Sequence, residues 1–229
     1  MTFAFYSPII GIASNALRWR FLPMALLLTT PTVSAPARLQ PWRLPARGLT
    51  VFHGAGNAAR LSHYFLPRLL VEGKRVVYLD GANRIDPLLI ARFARQRGQE
   101  PSAFNRRIRV ARAFTCFQLT ELLARVPGAL RRFPADILIV TALPDLYFDE
   151  DVREGDARAC FEQALKRLRR LAQPPLSVAV FSDARSFVTA RRRFFGQLTA
   201  HADQVWKFEV QANDKLTLTC ERVRPRLPG

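Results

Sequence analysis

From Gly48 onward the chain alternates short apolar runs with longer amphipathic segments. The apolar runs fall at Leu49–Phe52, Arg75–Leu79, Ile108–Phe114, Ile137–Thr141 and Ser177–Phe181, and each is rich in β-branched or aromatic residues. Runs of this length predict strands buried on both faces. Between them lie helix-length segments at 59–72, 86–97, 116–132, 155–172 and 185–199. In 155–172, for example, Cys160, Phe161, Ala164, Leu165, Leu168 and Leu171 share one helical face, and Arg158, Lys166, Arg167, Arg169 and Arg170 surround it. Strands alternating with helices predict βαβ units and a parallel sheet. The chain closes differently: Gln204–Val210 and Leu216–Glu221 alternate apolar with polar residues around Gln211 to Asp214, which predicts an antiparallel hairpin at the sheet edge. Residues 1–46 carry six prolines and no period, so they predict an irregular N-terminal arm ahead of a single core domain, 47–229.

The first predicted strand runs into a glycine-rich turn, Gly54, Ala55, Gly56, and then into a helix. Strand, glycine turn and helix is the layout in which backbone N–H groups and a helix N-terminus cradle phosphates. The candidate nucleotide-binding loop is Gly54, Ala55, Gly56, Asn57, Ala58, Ala59, Arg60, Leu61 and Ser62. A phosphate-binding loop of the usual spacing ends in Gly-Lys-Ser/Thr; counted from Gly54, this chain has Ala59, Arg60 and Leu61 there. Two readings stay open. The loop binds ATP weakly without turning it over, or it keeps its glycines for backbone geometry alone.

Charge adds a partner class. The formal net charge is +17, and only Lys74, Lys166, Lys207 and Lys215 are lysines, so the basicity is almost all arginine. Such a field attracts polyanions, and DNA is the first to consider. The arginines cluster at Arg106-Arg107-x-Arg109, Arg131-Arg132, Arg167-x-Arg169-Arg170 and Arg191 to Arg193. Cys116, Cys160 and Cys220 form no pair motif, which suits a reducing cytoplasm, and His53, His63 and His201 have no ligand spacing. No metal site is expected. The acidic strip from Asp145 to Asp156 reads as a solvated loop. The apolar stretch Phe21 to Val33 follows a basic start, as a secretory signal would, but Pro23 and Pro31 interrupt it. It is too short for a membrane span, so no membrane association is expected.

The order of elements, with a phosphate loop on the first strand and a final hairpin, resembles the RecA/RadA recombinase core, a P-loop ATPase family. Val76 to Asp80 is similar to that family's second core strand. Arg112, Ala113, Thr115, Gln118 and Leu119 match a RadA-type segment, and Ile137 to Val140 looks like the Walker B strand. Ala202 to Val205 resembles the start of the family's closing hairpin, and the resemblance spans residues 48–225. It implies a RecA-like α/β core, mostly parallel and flanked by helices, with an antiparallel edge hairpin.

The departures fall on the family's catalytic positions. Arg60 brings a planar fork where the family has a compact lysine, and Leu61 cannot ligate magnesium; Ser62 could do so only after a one-residue slip. The Walker B aspartate is replaced by Thr141, and Ala82 stands where the base that polarises water is expected, although Asp80 precedes it. The implied protein is a degenerate member without catalytic residues, a DNA-binding accessory in recombination or repair. The alternatives are a module that docks on an active RecA-like or other repair protein, and an ATPase with a rewired site. In the family, loops after the later strands face DNA, which makes Arg185, Arg191, Arg192 and Arg193 the candidate DNA-binding group. Phe194 and Phe195 behind them are either stacking residues or core contacts.

Overall fold

Seven strands form one sheet in the order β3-β2-β4-β5-β1-β6-β7, and this order sends the helices to opposite faces. The computed structural model describes residues 44, 45, 47–54, 56, 58–210 and 216–224. Nearly all of the predicted N-terminal arm, Ala55, Asn57 and the hairpin turn from Gln211 to Asp214 lie outside the described residues. The elements run β1 (Gly48–Gly54), α1 (Ala58–Val71), β2 (Val76–Asp80), α2 (Pro87–Gln96), α3 (Pro101–Arg106), β3 (Ile108–Arg112) and α4 (Cys116–Arg132). The second half continues β4 (Ile137–Thr141), α5 (Glu154–Leu171), β5 (Ser177–Ser182), α6 (Arg193–His201), β6 (Gln204–Val210) and β7 (Leu216–Val223).

Pairing is parallel from β3 across to β6, and only β6 and β7 pair antiparallel. Successive side chains on each strand point to opposite faces, so continuous apolar runs supply two cores at once. Phe52, Tyr78, Ile139 and Phe181 pack under α1, α2 and α3. Val51, Leu79, Val140 and Val180 pack under α4, α5 and α6. The predicted α/β class, the mostly parallel sheet and the antiparallel edge pair are all present.

Three local expectations need correction. The short helix α3 is absent from the periodicity reading; its Pro101 sits at the start, where a missing N–H costs nothing, and Phe104 alone anchors it in the core. β3 ends at Arg112, not at Phe114. Its next amide, Ala113 N, still donates to Asp80 O at 3.2 Å, but Phe114 N turns to Gln118 Oε1 at 2.7 Å in the cap of α4. The predicted helix 185–199 becomes two 3-10 turns, Ala184–Ser186 and Ala190–Arg192, and only then α6. Thr189 breaks the run: it is extended and its Oγ1 accepts from Arg191 N at 3.1 Å, restarting the helical turns.

One glycine is fixed by packing. A Cβ on Gly54 would stand 2.3 Å from the Phe208 ring of β6, so the strand end and the ring close on each other only without a side chain. We expect Gly54→Ala to cost about 1–3 kcal/mol by overpacking. Adding Phe208→Leu should recover part of that loss, as read from denaturant midpoints. A parent-like midpoint for Gly54→Ala would rule out the clash.

Candidate functional site

The sheet order creates a crevice beside β1. The chain leaves β1 for α1 on one face, whereas neighbouring β5 leads to α6 on the other. In open α/β sheets, ligands bind outside the carboxyl ends of strands at such a reversal. Gly56, at φ +70°, uses a left-handed conformation that a side chain would disfavour, and it turns the chain into α1.

The amides of this turn already have partners. Ala58 N, at the amino terminus of α1, donates to Asp183 Oδ1 at 2.8 Å. Gly56 N donates to Ser186 Oγ at 3.1 Å, and that hydroxyl donates in turn to Gly54 O at 3.4 Å. A carboxylate from the loop after β5 thus stands at the helix end, where partial positive charge favours an anion. Asp183 is itself held from behind: its N–H donates to Asp145 Oδ2 at 2.8 Å, and Ser182 Oγ donates to Asp145 Oδ1 at 2.6 Å. Burial pushes the Asp145 carboxyl up to about 6, against the hydrogen bonds from Ser182 and Asp183 that favour its charge. Asp145 reaches β5 because Ala142, at φ 58°, turns the chain sharply at the end of β4.

The described residues of the predicted loop from Ala58 onward face inward or away. Ala58, Ala59 and Leu61 are core residues. Ser62 is fully buried, donating to Ala59 O at 2.6 Å and sharing a 2.8 Å hydrogen bond with Tyr78 Oη, so its hydroxyl does not face the loop. Arg60 is exposed on α1. At the ends of β2 and β4, Thr141 Oγ1 accepts from Ala82 N at 3.1 Å and donates to Asp80 Oδ1 at 3.3 Å. Asp80 is buried and accepts from Arg84 N and Ile85 N at 3.0 and 3.1 Å, with Arg112 Nε at 3.5 Å. It holds the 81–86 turn in place rather than facing an open site.

Of the predicted DNA-facing arginines, Arg191 is corrected by the structure. It is 8% exposed, and its guanidinium donates to Glu154 Oε2 at 2.8 Å, to Tyr147 O at 3.1 Å, and to the carbonyls of Asp149 and Val152. Five donors in a fixed fork suit this collecting of loop carbonyls, and a phosphate would have to displace them. Arg193 pairs with the same Glu154, and Arg185 pairs with Glu221 at 3.2 Å; Arg192 is exposed. Phe194 and Phe195 are buried, so the core alternative holds for both.

Sequence reasoning missed His53. It is fully buried, with Nε2 2.8 Å from Glu221 Oε2 and Nδ1 without a partner among the described residues. Burial lowers its pKa more than Glu221 raises it. Its place inside an apolar strand run was the available signal. Asp183 and Ser186 were missed because nothing near them in sequence marks the helix that they cap. Among the described residues no group of three or more His, Cys, Asp or Glu side chains is placed to hold a metal ion. No helix among them is long and apolar enough to cross a membrane. Comparison with protein-family models and with curated protein sequences returns no match to this chain.

Two outcomes follow for stability. Arg191→Gln should destabilise by about 2–4 kcal/mol, because three loop carbonyls and Glu154 lose a buried cation, whereas Arg192→Gln should stay within ~0.5 kcal/mol. Equal melting temperatures for the two variants would overturn that division. The second concerns Asp145. Its folded carboxyl holds a proton more tightly than the unfolded one, so its contribution to stability is present below pH 3.8 and lost as pH rises through about 6. The parent minus Asp145→Asn stability difference should therefore fall by about 1–2 kcal/mol across that window, allowing for partial solvent screening. His53 shifts the opposite way, losing its contribution as pH falls below 6.5, and cancels in this difference. A flat difference would exclude the raised carboxyl.

Proposed function

We propose that this chain is a degenerate RecA/RadA-like protein that binds DNA as a non-catalytic accessory in recombination or repair. The observation that carries the loss of turnover is the Asp183 carboxylate, 2.8 Å from the amide at the start of α1. A nucleotide phosphate would have to displace a tethered anion and sit near the acidic Asp145 and Asp183 side chains. Like charge at that distance opposes polyphosphate binding. Phosphoryl transfer rests on positioning and charge neutralisation, and one preorganised contact alone can be worth about 3 kcal/mol. Here the lysine, the magnesium ligand and the base positions read Arg60, Leu61 and Ala82. DNA affinity is supported by the net charge of +17, which favours a phosphate backbone without nucleotide.

One observation favours a second reading, docking on a partner protein. Leu88, Phe114 and Phe117 are 74%, 62% and 49% exposed where the chain leaves β2 and β3. Large apolar side chains left exposed at one end of a sheet suit contact with another protein.

The test is DNA binding by fluorescence anisotropy at two salt concentrations, with and without magnesium-ATP, beside an ATPase assay. Affinity should fall steeply with salt and be unchanged by ATP, and hydrolysis should not exceed that of Arg60→Ala. Magnesium-dependent turnover that vanishes in Arg60→Ala would refute the non-catalytic reading. Absence of DNA binding at low salt would refute the DNA reading and leave partner docking.

A further inference from the structure

At the end of the sheet opposite the glycine loop, exposed cations converge from several elements. Strands β1 to β6 are parallel and each connecting helix returns the chain, so helix C-termini and strand N-termini share the amino end. That end receives Arg131 and Arg132 from the last turn of α4, and Arg169 and Arg170 from the last turn of α5. Arg75 stands just ahead of β2 and Arg109 near the start of β3; their guanidinium carbons lie 4.4 and 4.6 Å from the Phe133 ring centroid. β7 runs the other way and brings Arg222 and Arg224 to the same end, where they bond the last carbonyls of α6. His201 at the end of α6 ties α5 to this group: its pKa is lowered by burial, then by Arg169 and Arg224.

The carboxylates are distributed the other way. Asp80, the last residue of β2, and Asp145, Asp149 and Asp183, beyond strand carboxyl ends, are spent on turn amides. At the amino end Glu72 pairs with Arg68 and Asp136 with Lys74. Among the described residues, no ion pair includes Arg75, Arg109, Arg131, Arg132, Arg169 or Arg170. A helix dipole favours arginine in a last turn, which accounts for four of these placements but not for Arg75 and Arg109, and it leaves the net field undiminished.

We propose that this amino-end rim, not the arginines after β5, is the nucleic-acid surface of the protein, and that it takes the phosphate backbone of duplex DNA. The inference rests on the DNA-binding reading above and assigns its surface. Six strand spacings from β3 to β7 span about 29 Å, close to the ~34 Å axial length of one duplex turn, so the rim can meet phosphates on both sides of a groove. Single strands are held by exposed aromatics on which bases stack. The aromatic of this rim, Phe133, is 5% exposed and lies beneath Arg75 and Arg109, while Phe114, Phe117 and Phe187 are exposed at the opposite end. Among the described residues this rim presents cations and no exposed aromatic, which matches backbone contact.

The experiment compares two charge-removal variants of the full chain on a short random-sequence duplex at several salt concentrations. Changing Arg131, Arg132, Arg169 and Arg170 together to Gln should weaken binding at least about tenfold near 0.15 M salt and lower the salt slope by roughly 3 to 4. Changing Arg185, Arg192 and Arg193 together to Gln should leave both nearly unchanged. Changing the four rim residues to Lys should retain most of the affinity, since backbone attraction needs charge and not a guanidinium fork; loss in that variant would overturn the backbone assignment. Loss in the Arg185 set with retention in the rim set would overturn the inference and leave the DNA reading standing. A parent protein that ignores duplex at low salt, or prefers vesicles of anionic lipid, would remove the DNA reading and the inference with it. Melting curves for each variant confirm that the comparison is between folded proteins.

Discussion

The hydrogen bond from Ala58 N to the Asp183 carboxylate organises the carboxyl end of this sheet. It joins the loop after β1 to the loop after β5 across 125 residues of sequence. Asp145, from the loop after β4, fixes the carboxylate from behind through Ser182 and the Asp183 amide. Three strand ends are thereby locked around one helix N-terminus. The helix end presents unpaired donors and partial positive charge, and in this chain the neutralising anion is built in.

That arrangement has an electrostatic consequence for the whole molecule. Carboxylates are scarce, 18 against 35 lysines and arginines, and the turns at the carboxyl end consume many of them. Asp80 holds the turn after β2, Asp86 caps α2, and Glu154 takes both Arg191 and Arg193. Among the described residues, Arg131, Arg132, Arg169 and Arg170, where α4 and α5 finish, belong to no ion pair.

Arg191 shows how burial changes the meaning of a charge. In sequence it belongs to a run of three arginines and reads as a surface feature. In the fold its fork gathers the carbonyls of Tyr147, Asp149 and Val152 with Glu154, tying the acidic loop after β4 to the turn before α6. A buried guanidinium is tolerated because nearly every donor finds an oxygen. Its neighbours Arg192 and Arg193 stay exposed because a helical turn points them elsewhere.

Strand count and the parallel sheet with its antiparallel edge were legible in the chain itself. Each depends on residues close in sequence: apolar runs of strand length, and alternation in 204–210 and 216–221. Helix α3 escaped because one anchoring residue, Phe104, gives no period. The break in 185–199 escaped because Thr189 interrupts a run that is otherwise helical in composition. The partners of the loop lay beyond any local pattern. That Asp183 rather than a ligand meets Ala58, that Ser62 turns to Tyr78, and that the arginines of α4 and α5 share one end were decided only when strand order brought distant segments together. Periodicity along a chain fixes which face of an element is apolar; which polar group it meets across the sheet is fixed by packing, because a hydrogen bond is made between positions in space and not between positions in sequence.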